Sequence, residues 1–211
     1  MTSKEIKVAI CVPSSDASGM NVLTAQCIGA AIIESEGLVV DIIVRRSCDI
    51  VSNRTWLIQE AMRKGMTHIL FVDCDMLFPS GAIKTMLAHK KKIVGVEYPA
   101  RTFPLKKTFE PLTEESATEL YKAKFAGMGL MLIDLSIFKD PKFGIDADGK
   151  RSPWISFGRD STGALAMGED AWFCFVARDA GFHTFIDPTI KIYHLGEYGY
   201  CLPDKNIKNN K

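Results

Sequence analysis

Short apolar runs alternate with amphipathic stretches through residues 6–98. The runs are "IKVAICV", "LVVDIIV", "HILFVD" and "KIVGVEY". Between them, residues 21–36, 49–64 and 79–90 read as helices, the second with apolar side chains near helical spacing. Gly37 and Gly65 stop the first two, and Pro79 sits in the first turn of the third. Strands joined by helices run parallel, and helices on both faces keep such strands apolar throughout. The alternation therefore predicts a parallel α/β sheet with helices on each side. Ligands of such sheets bind beyond the carboxyl ends of the strands. "HILFVDCD" carries Asp73 and Asp75 to that end.

The chain of 211 residues is 47% hydrophobic and 24% charged, enough to bury the core of one domain. A formal net charge of +1 supplies no global attraction to nucleic acid or to an anionic membrane. No apolar run is long enough to span a bilayer, and "KVAICVP" is too short for a signal peptide. The six cysteines are scattered, without a CxxC pair, and read as reduced thiols of a cytoplasmic protein.

After Pro99 the alternation weakens. "ELYKAKFAGMGLMLIDLSIF" reads as a strand or two and a short helix. Residues 140–167 are rich in Gly, Asp, Ser and Pro and read as a long loop. Residues 168–180 are helical, "TFIDP" and "IKIYHLG" are short strands, and the basic tail over 203–211 is solvated. No linker marks a domain boundary.

Three constellations carry chemistry. Asp73 and Asp75, two apart in extended chain, leave on the same side. Carboxylates that close repel unless a cation lies between them, and hard Mg²⁺ or Mn²⁺ commonly takes one or two carboxylates plus substrate phosphates. Two turn acids capping the next helix would look the same. Glu169 and Asp170 open the helix of "GEDAWFCFVARDAGF", where acids favour the dipole or serve as a general base. His194 shares a strand face with Ile190 and Ile192, and becomes a ligand candidate if that strand ends near Asp75. Arg54, near a helix start beside Asn53, suits a phosphate or a base edge, with surface ion pairing as the plainer alternative. Gly127 and Gly129 permit close approach of a ligand, or a β-bulge.

Taken in order, four pieces resemble glycosyltransferases of the GT-A fold, family 2-like group, over residues 7–196. They are "VAICVPSSD", "SNRTWLIQEAMRKGMTHILFVDCDMLFP" with its DxD, "FAGMGLMLI", and "GEDAWFCFVARDAGF" followed by "IYHLG". The resemblance implies a Rossmann-like three-layer α/β sandwich with a mostly parallel central sheet. Residues 1–98 would be the nucleotide-sugar half and 99–200 the acceptor and catalytic half. It implies a nucleotide-diphosphate sugar donor, most simply a UDP-sugar, held by Pro13, Asp16, Asn53, Arg54, Asp73, Cys74 and Asp75. Mn²⁺ or Mg²⁺ would be bound by Asp73, Asp75 and His194, with Asp75 the direct ligand and Asp73 nearer the ribose or a metal-bound water.

Asp170, with Glu169 beside it, matches the acid that supplies the base in inverting members. Arg101, Gly127, Gly129 and Trp154 would face the acceptor, with Trp154 as a stacking platform. The acceptor classes open to such a protein are a glycan, a small molecule and a hydroxymethylated DNA base. The chain departs from many members in its short acceptor region and the lack of a membrane anchor. Two other readings compete. A haloacid-dehalogenase-type phosphohydrolase also ends an apolar strand in D-x-D, but has Thr or Val where this chain has Leu77. A nucleotide- or sugar-binding domain without catalysis would share the fold.

Overall fold

The computed structural model describes residues 5–15, 19–145, 149–150, 152–196 and 198–203. Asp16 and most of the basic tail lie outside them.

The chain opens with the strand–helix alternation expected from its sequence. Strand β1 (Val8–Ser14) is buried along its whole length. Helix α1 (Val22–Glu34) begins where the Asn21 side chain accepts from the Leu23 amide, and α2 (Ile50–Arg63) where Asp49 accepts from the Val51 amide. Between them runs β2 (Val39–Arg46). Strand β3 (His68–Val72) leads to the two-residue β4 (Met76–Leu77). Helix α3 (Ala82–Ala88) is shorter than its sequence suggested. Pro79 closes a turn ahead of it, its carbonyl accepting from the Ala82 amide at 3.1 Å.

Strand β5 (Ile93–Val96) ends the alternation. Then come β6 (Phe109–Pro111), β7 (Tyr121–Ala126) and β8 (Leu130–Asp134), and a short 3₁₀ turn over Leu135–Lys139. The loop over 140–167 contains a small ribbon, β9 (Gly158–Arg159) with β10 (Leu165–Met167). Helix α4 (Glu169–Asp179), β11 (Thr184–Asp187), β12 (Tyr193–Leu195) and β13 (Gly199–Tyr200) follow.

Eight strands form the central sheet in the order β2-β1-β3-β8-β5-β11-β7-β6. Only β8 and β7 run against the rest. The alternating half therefore does not pair with itself throughout, because β8 enters antiparallel between β3 and β5. Helices α2 and α4 cover one face, where Leu57, Ile58, Phe173 and Ala177 meet Phe71 and Met131. Helices α1 and α3 cover the other, where Ile28, Ile83 and Met86 meet Leu70 and Leu132. The result is a three-layer α/β sandwich with a mostly parallel sheet. None of the six cysteines is in a disulfide. Among the described residues, no helix is long and apolar enough to cross a membrane.

Asn53 is 1% exposed and fastens two of these elements rather than facing a ligand. Its amide nitrogen donates to the Ser14 carbonyl at 3.0 Å and the Ser47 carbonyl at 3.1 Å, and its oxygen accepts from the Ser47 hydroxyl at 2.8 Å. The clamp ties the end of β1 to the turn before α2. Asn53→Ala leaves buried carbonyls short of donors and should lower unfolding free energy by about 2 kcal/mol in urea titrations. A variant as stable as the wild type would show that the clamp is dispensable.

Candidate functional site

The carboxyl ends of β1 and β3 open on a cleft of about 530 Å³. Asp73 enters it directly from β3, its amide donating to the Gly129 carbonyl at 2.9 Å. Asp75 precedes β4, which pairs antiparallel with β12 and sets His194 opposite Met76. The Leu195 amide donates to the Asp75 carbonyl at 2.7 Å. A strand from the far end of the sequence is thus pinned against the D-x-D, and the condition for His194 to matter is met.

Arg54 is the hub of the cleft wall. It reaches in from the second turn of α2 and is 3% exposed. Its Nη2 donates to Asp73 Oδ1 at 3.0 Å and lies 3.8 Å from Glu169 Oε1 at the start of α4. Its guanidinium lies 5.7 Å from the centre of the Phe71 ring. Burial opposes its charge, but Asp73, Glu169 and Asp170 outweigh burial and hold its pKa up. Nε and Nη1 of Arg54 are buried without a hydrogen-bond partner among the described residues. Orphaned donors of this kind cost about 1–3 kcal/mol each, so stability alone does not account for the arrangement.

Burial makes Asp73 and Glu169 harder to ionise. Burial pushes the Asp73 carboxyl up, Arg54 pulls it down and Asp75 pushes it up again, with a net rise. Burial raises Glu169 as well, Arg54 lowers it and Asp170 adds to the rise. Three carboxylates line the cleft, from Asp73, Asp75 and Glu169, against two guanidiniums, from Arg54 and Arg101. The lining is therefore acidic, and a diphosphate entering alone would meet net repulsion.

His194 and Asp75 bear on whether a cation fits. His194 Nδ1 lies 3.0 Å from the Pro99 carbonyl, which can only accept, so Nδ1 carries a proton. The Tyr98 ring meets the imidazole edge-on at 5.6 Å and fixes its plane. In the neutral ring, Nε2 then turns its lone pair toward Asp75 Oδ1, 3.6 Å away. Two lone pairs facing at that distance suit a shared cation, and an imidazole oriented through its other nitrogen is the usual form of a metal ligand. The expected set of three is not assembled. Asp73 is tied to Arg54, and among the described residues no three His, Cys, Asp or Glu side chains group as a metal site. The residues fit a site with two protein ligands, its other positions left to water and substrate oxygens.

The remaining candidates divide. Pro13 and Cys74 line the cleft, and the Cys74 carbonyl accepts from the Asn21 amide at 2.8 Å. Glu169 lines it too. Asp170 is half-buried and near enough to act on the charges of Arg54 and Asp73, its Oδ1 accepting from the Ala171 amide at 2.7 Å. Arg101 lines the cleft, with Nη1 2.8 Å from Asp75 Oδ2.

Gly127 and Gly129 have a different reason from the one expected. A Cβ on Gly127 would lie 2.1 Å from the Tyr98 hydroxyl, and one on Gly129 2.2 Å from the Met76 methyl. Tyr98 fills the space expected for an acceptor and takes a hydrogen bond from the Gly129 amide at 3.0 Å. Trp154 packs on Phe138 with ring centres 4.9 Å apart, beside Gly144, away from the cleft. Its loop looked exposed, but the indole completes a core cluster. Asn53 is the structural clamp described above.

Tyr98, and the place of Arg101 on Asp75, were not foreseen. Tyr98 directly follows "IVGVE" at the carboxyl end of a parallel strand, so the rule that singled out Asp73 also pointed to it.

No protein-family model matches the sequence, and no curated protein does. Solved structures do match in fold. A197 from STIV is 12% identical, with a TM-score of 0.59 over 98% of this chain and 100% of that one. Residues 1–349 of S. aureus TarS are also 12% identical, with a TM-score of 0.50 over 93% of this chain and 60% of that one. A glycosyltransferase involved in glycosylation of the major capsid of PBCV-1 reaches only 0.33 over 62% of this chain, too slight to weigh. At these identities the likeness is one of fold.

The raised carboxyl of Glu169 has a consequence for stability. An acid whose pKa rises on folding favours the folded state below its ordinary pKa, and that advantage is lost as pH rises through the folded value. Glu169→Gln should therefore melt higher than the wild type at neutral pH, with the difference vanishing toward about pH 4, the ordinary glutamate range. Equal differences in melting temperature at both pH values would contradict this.

Proposed function

We propose that the protein transfers a glycosyl group from a nucleoside-diphosphate sugar, most simply a UDP-sugar, to an acceptor hydroxyl, with inversion and with Mn²⁺ or Mg²⁺ bound. The observation that carries this reading is the oriented His194–Asp75 pair beside the buried Arg54 with its partners Asp73 and Glu169, at the strand ends of a fold shared with glycosyltransferases. A diphosphate needs compensating charge in so acidic a cleft. A divalent cation on Asp75 and His194 would supply it and stabilise charge on the departing diphosphate.

The chain's own residues do the rest. Arg54 holds Asp73 in place, and Asp73, nearer the β1 end of the cleft, accepts from donor hydroxyls. Arg101 exchanges Asp75 for a diphosphate oxygen, since guanidinium binds either anion in the same forked way. Asp170 removes the proton of the acceptor hydroxyl as its oxygen attacks the anomeric carbon. The bond from that carbon to the diphosphate oxygen breaks with its electron pair leaving on the diphosphate. Glu169, turned toward Arg54, keeps the guanidinium charged and fixed. Positioning and charge stabilisation account for most of the rate.

In the competing phosphohydrolase, Asp73 would be a nucleophile. A carboxylate hydrogen-bonded to a buried guanidinium is a poor one, and this geometry disfavours that reading.

The base assignment is tested by two variants assayed for turnover of sugar nucleotides and for donor binding. Asp170→Asn should lose roughly 10²- to 10⁴-fold in turnover while still binding donor, the usual contribution of a positioned base. Glu169→Gln should lose less. The reverse order would pass the role to Glu169, and two fully active variants would refute the proposed chemistry. A product that keeps the donor's anomeric configuration would refute single displacement.

A further inference from the structure

The two edges of the central sheet are finished differently. Strand β6 at one edge has three residues, including Glu110 and Pro111, and a short edge with a charge and a proline resists pairing. Strand β2 at the other edge has eight residues with neither Pro nor Lys, and among the described residues no strand pairs with its outer side. A register shift against β1 falls at its start, leaving 41–46 in regular pairing. On one face of this stretch Ile42 and Val44 are 44% and 51% exposed, with Val40 at 49% beside them. On the other face Ile43 is buried under α2, flanked by Asp41 and Arg45.

That order of residues is self-complementary. In an antiparallel pair, residues directly opposite share a face. A twofold axis through Ile43 sets Asp41 opposite Arg45 of a second copy, and Arg45 opposite its Asp41. The same axis sets Ile42 opposite Val44 twice on the apolar face. Moving the axis to Ile42 sets Asp41 opposite Ile43, and moving it to Val44 sets Arg45 opposite Ile43. Of these axes only the one at Ile43 pairs Asp41 with Arg45 and Ile42 with Val44 together, with Val40 then opposite Arg46.

Each copy leaves something for the other. Lys64 holds Asp41 through Oδ2 at 2.6 Å. The Arg45 guanidinium lies 4.8 Å over the Trp56 ring. A shallow groove beside the strand, lined by Ile32, Val40 and Ile42, continues the apolar face.

We propose that β2 is the interface of a homodimer, in which two copies join edge to edge into one continuous sheet with its twofold axis at Ile43. The partner is a second copy of this chain, because the charge pattern is complementary to itself. The antiparallel pairing points the two clefts to opposite ends of the joined sheet and leaves both open. The inference does not depend on the reaction catalysed.

Sedimentation equilibrium on the full chain tests it. The wild type should sediment at twice the chain mass of 23.4 kDa. Asp41→Arg and Arg45→Asp should each sediment as monomers, since each puts like charges opposite one another. An equimolar mixture of the two variants restores opposite charges at both contacts and should give a heterodimer. The double variant should again form a homodimer. Ile42→Lys, a change at an exposed site that leaves the core intact, should be monomeric with an unaltered circular dichroism spectrum. A wild type monomeric up to its solubility limit would overturn the proposal, whether its β2 amides exchange freely or are protected by another part of the chain. Single variants that stay dimeric, or a mixture of them that stays monomeric, would overturn it as well.

Discussion

Arg54 is a guanidinium almost without water, and the site is organised by what keeps it charged. Helix α2 places it against the end of β3, and Asp73 and Glu169 converge on it from two other elements. Removing Arg54 would leave the Asp73 carboxylate beside it uncompensated, commonly at a cost of about 3–5 kcal/mol for a buried pair. Arg54 therefore fixes the relation between α2, β3 and the start of α4. It also sets the order of the acids. Asp73 and Glu169 are turned to Arg54, while Asp75 faces His194 and Arg101.

This arrangement trades stability for a prepared surface. Asp73 and Glu169 are carboxyls that burial makes harder to ionise, Arg54 carries two unpaired donors, and the cleft has more acids than guanidiniums. A fold shaped by stability alone would replace such a cluster with apolar packing. Under the proposed function, such a lining suits a cation and an anion entering together better than either alone.

Local pattern carried the first half of the fold. β1, β2, β3 and β5 are apolar runs bounded by caps and glycines, and their lengths and the ends of α1 and α2 follow from those residues. The D-x-D was legible as two acids at the carboxyl end of an apolar strand, where ligands of such sheets bind. The position of β8 was not legible, since its place between β3 and β5 depends on pairing across sixty residues of chain. Gly127 and Gly129 were noticed for the right property, missing side chains, but what approaches them is Tyr98 and not a ligand. Trp154 in a Gly- and Ser-rich stretch looked free, yet Phe138 on a distant 3₁₀ turn covers it. Asn53 looked like a ligand contact because polar residues at helix starts often are, and only the carbonyls of Ser14 and Ser47 reveal its use.

The central claim is that the cleft accepts a nucleoside diphosphate only together with a divalent cation shared by Asp75 and His194. Isothermal titration calorimetry of UDP into the protein, once with Mn²⁺ and once with EDTA, tests this most directly. The account predicts a single binding event with Mn²⁺ that is lost in EDTA and strongly weakened in His194→Ala. UDP binding of equal affinity in EDTA, or unchanged in His194→Ala, would contradict it.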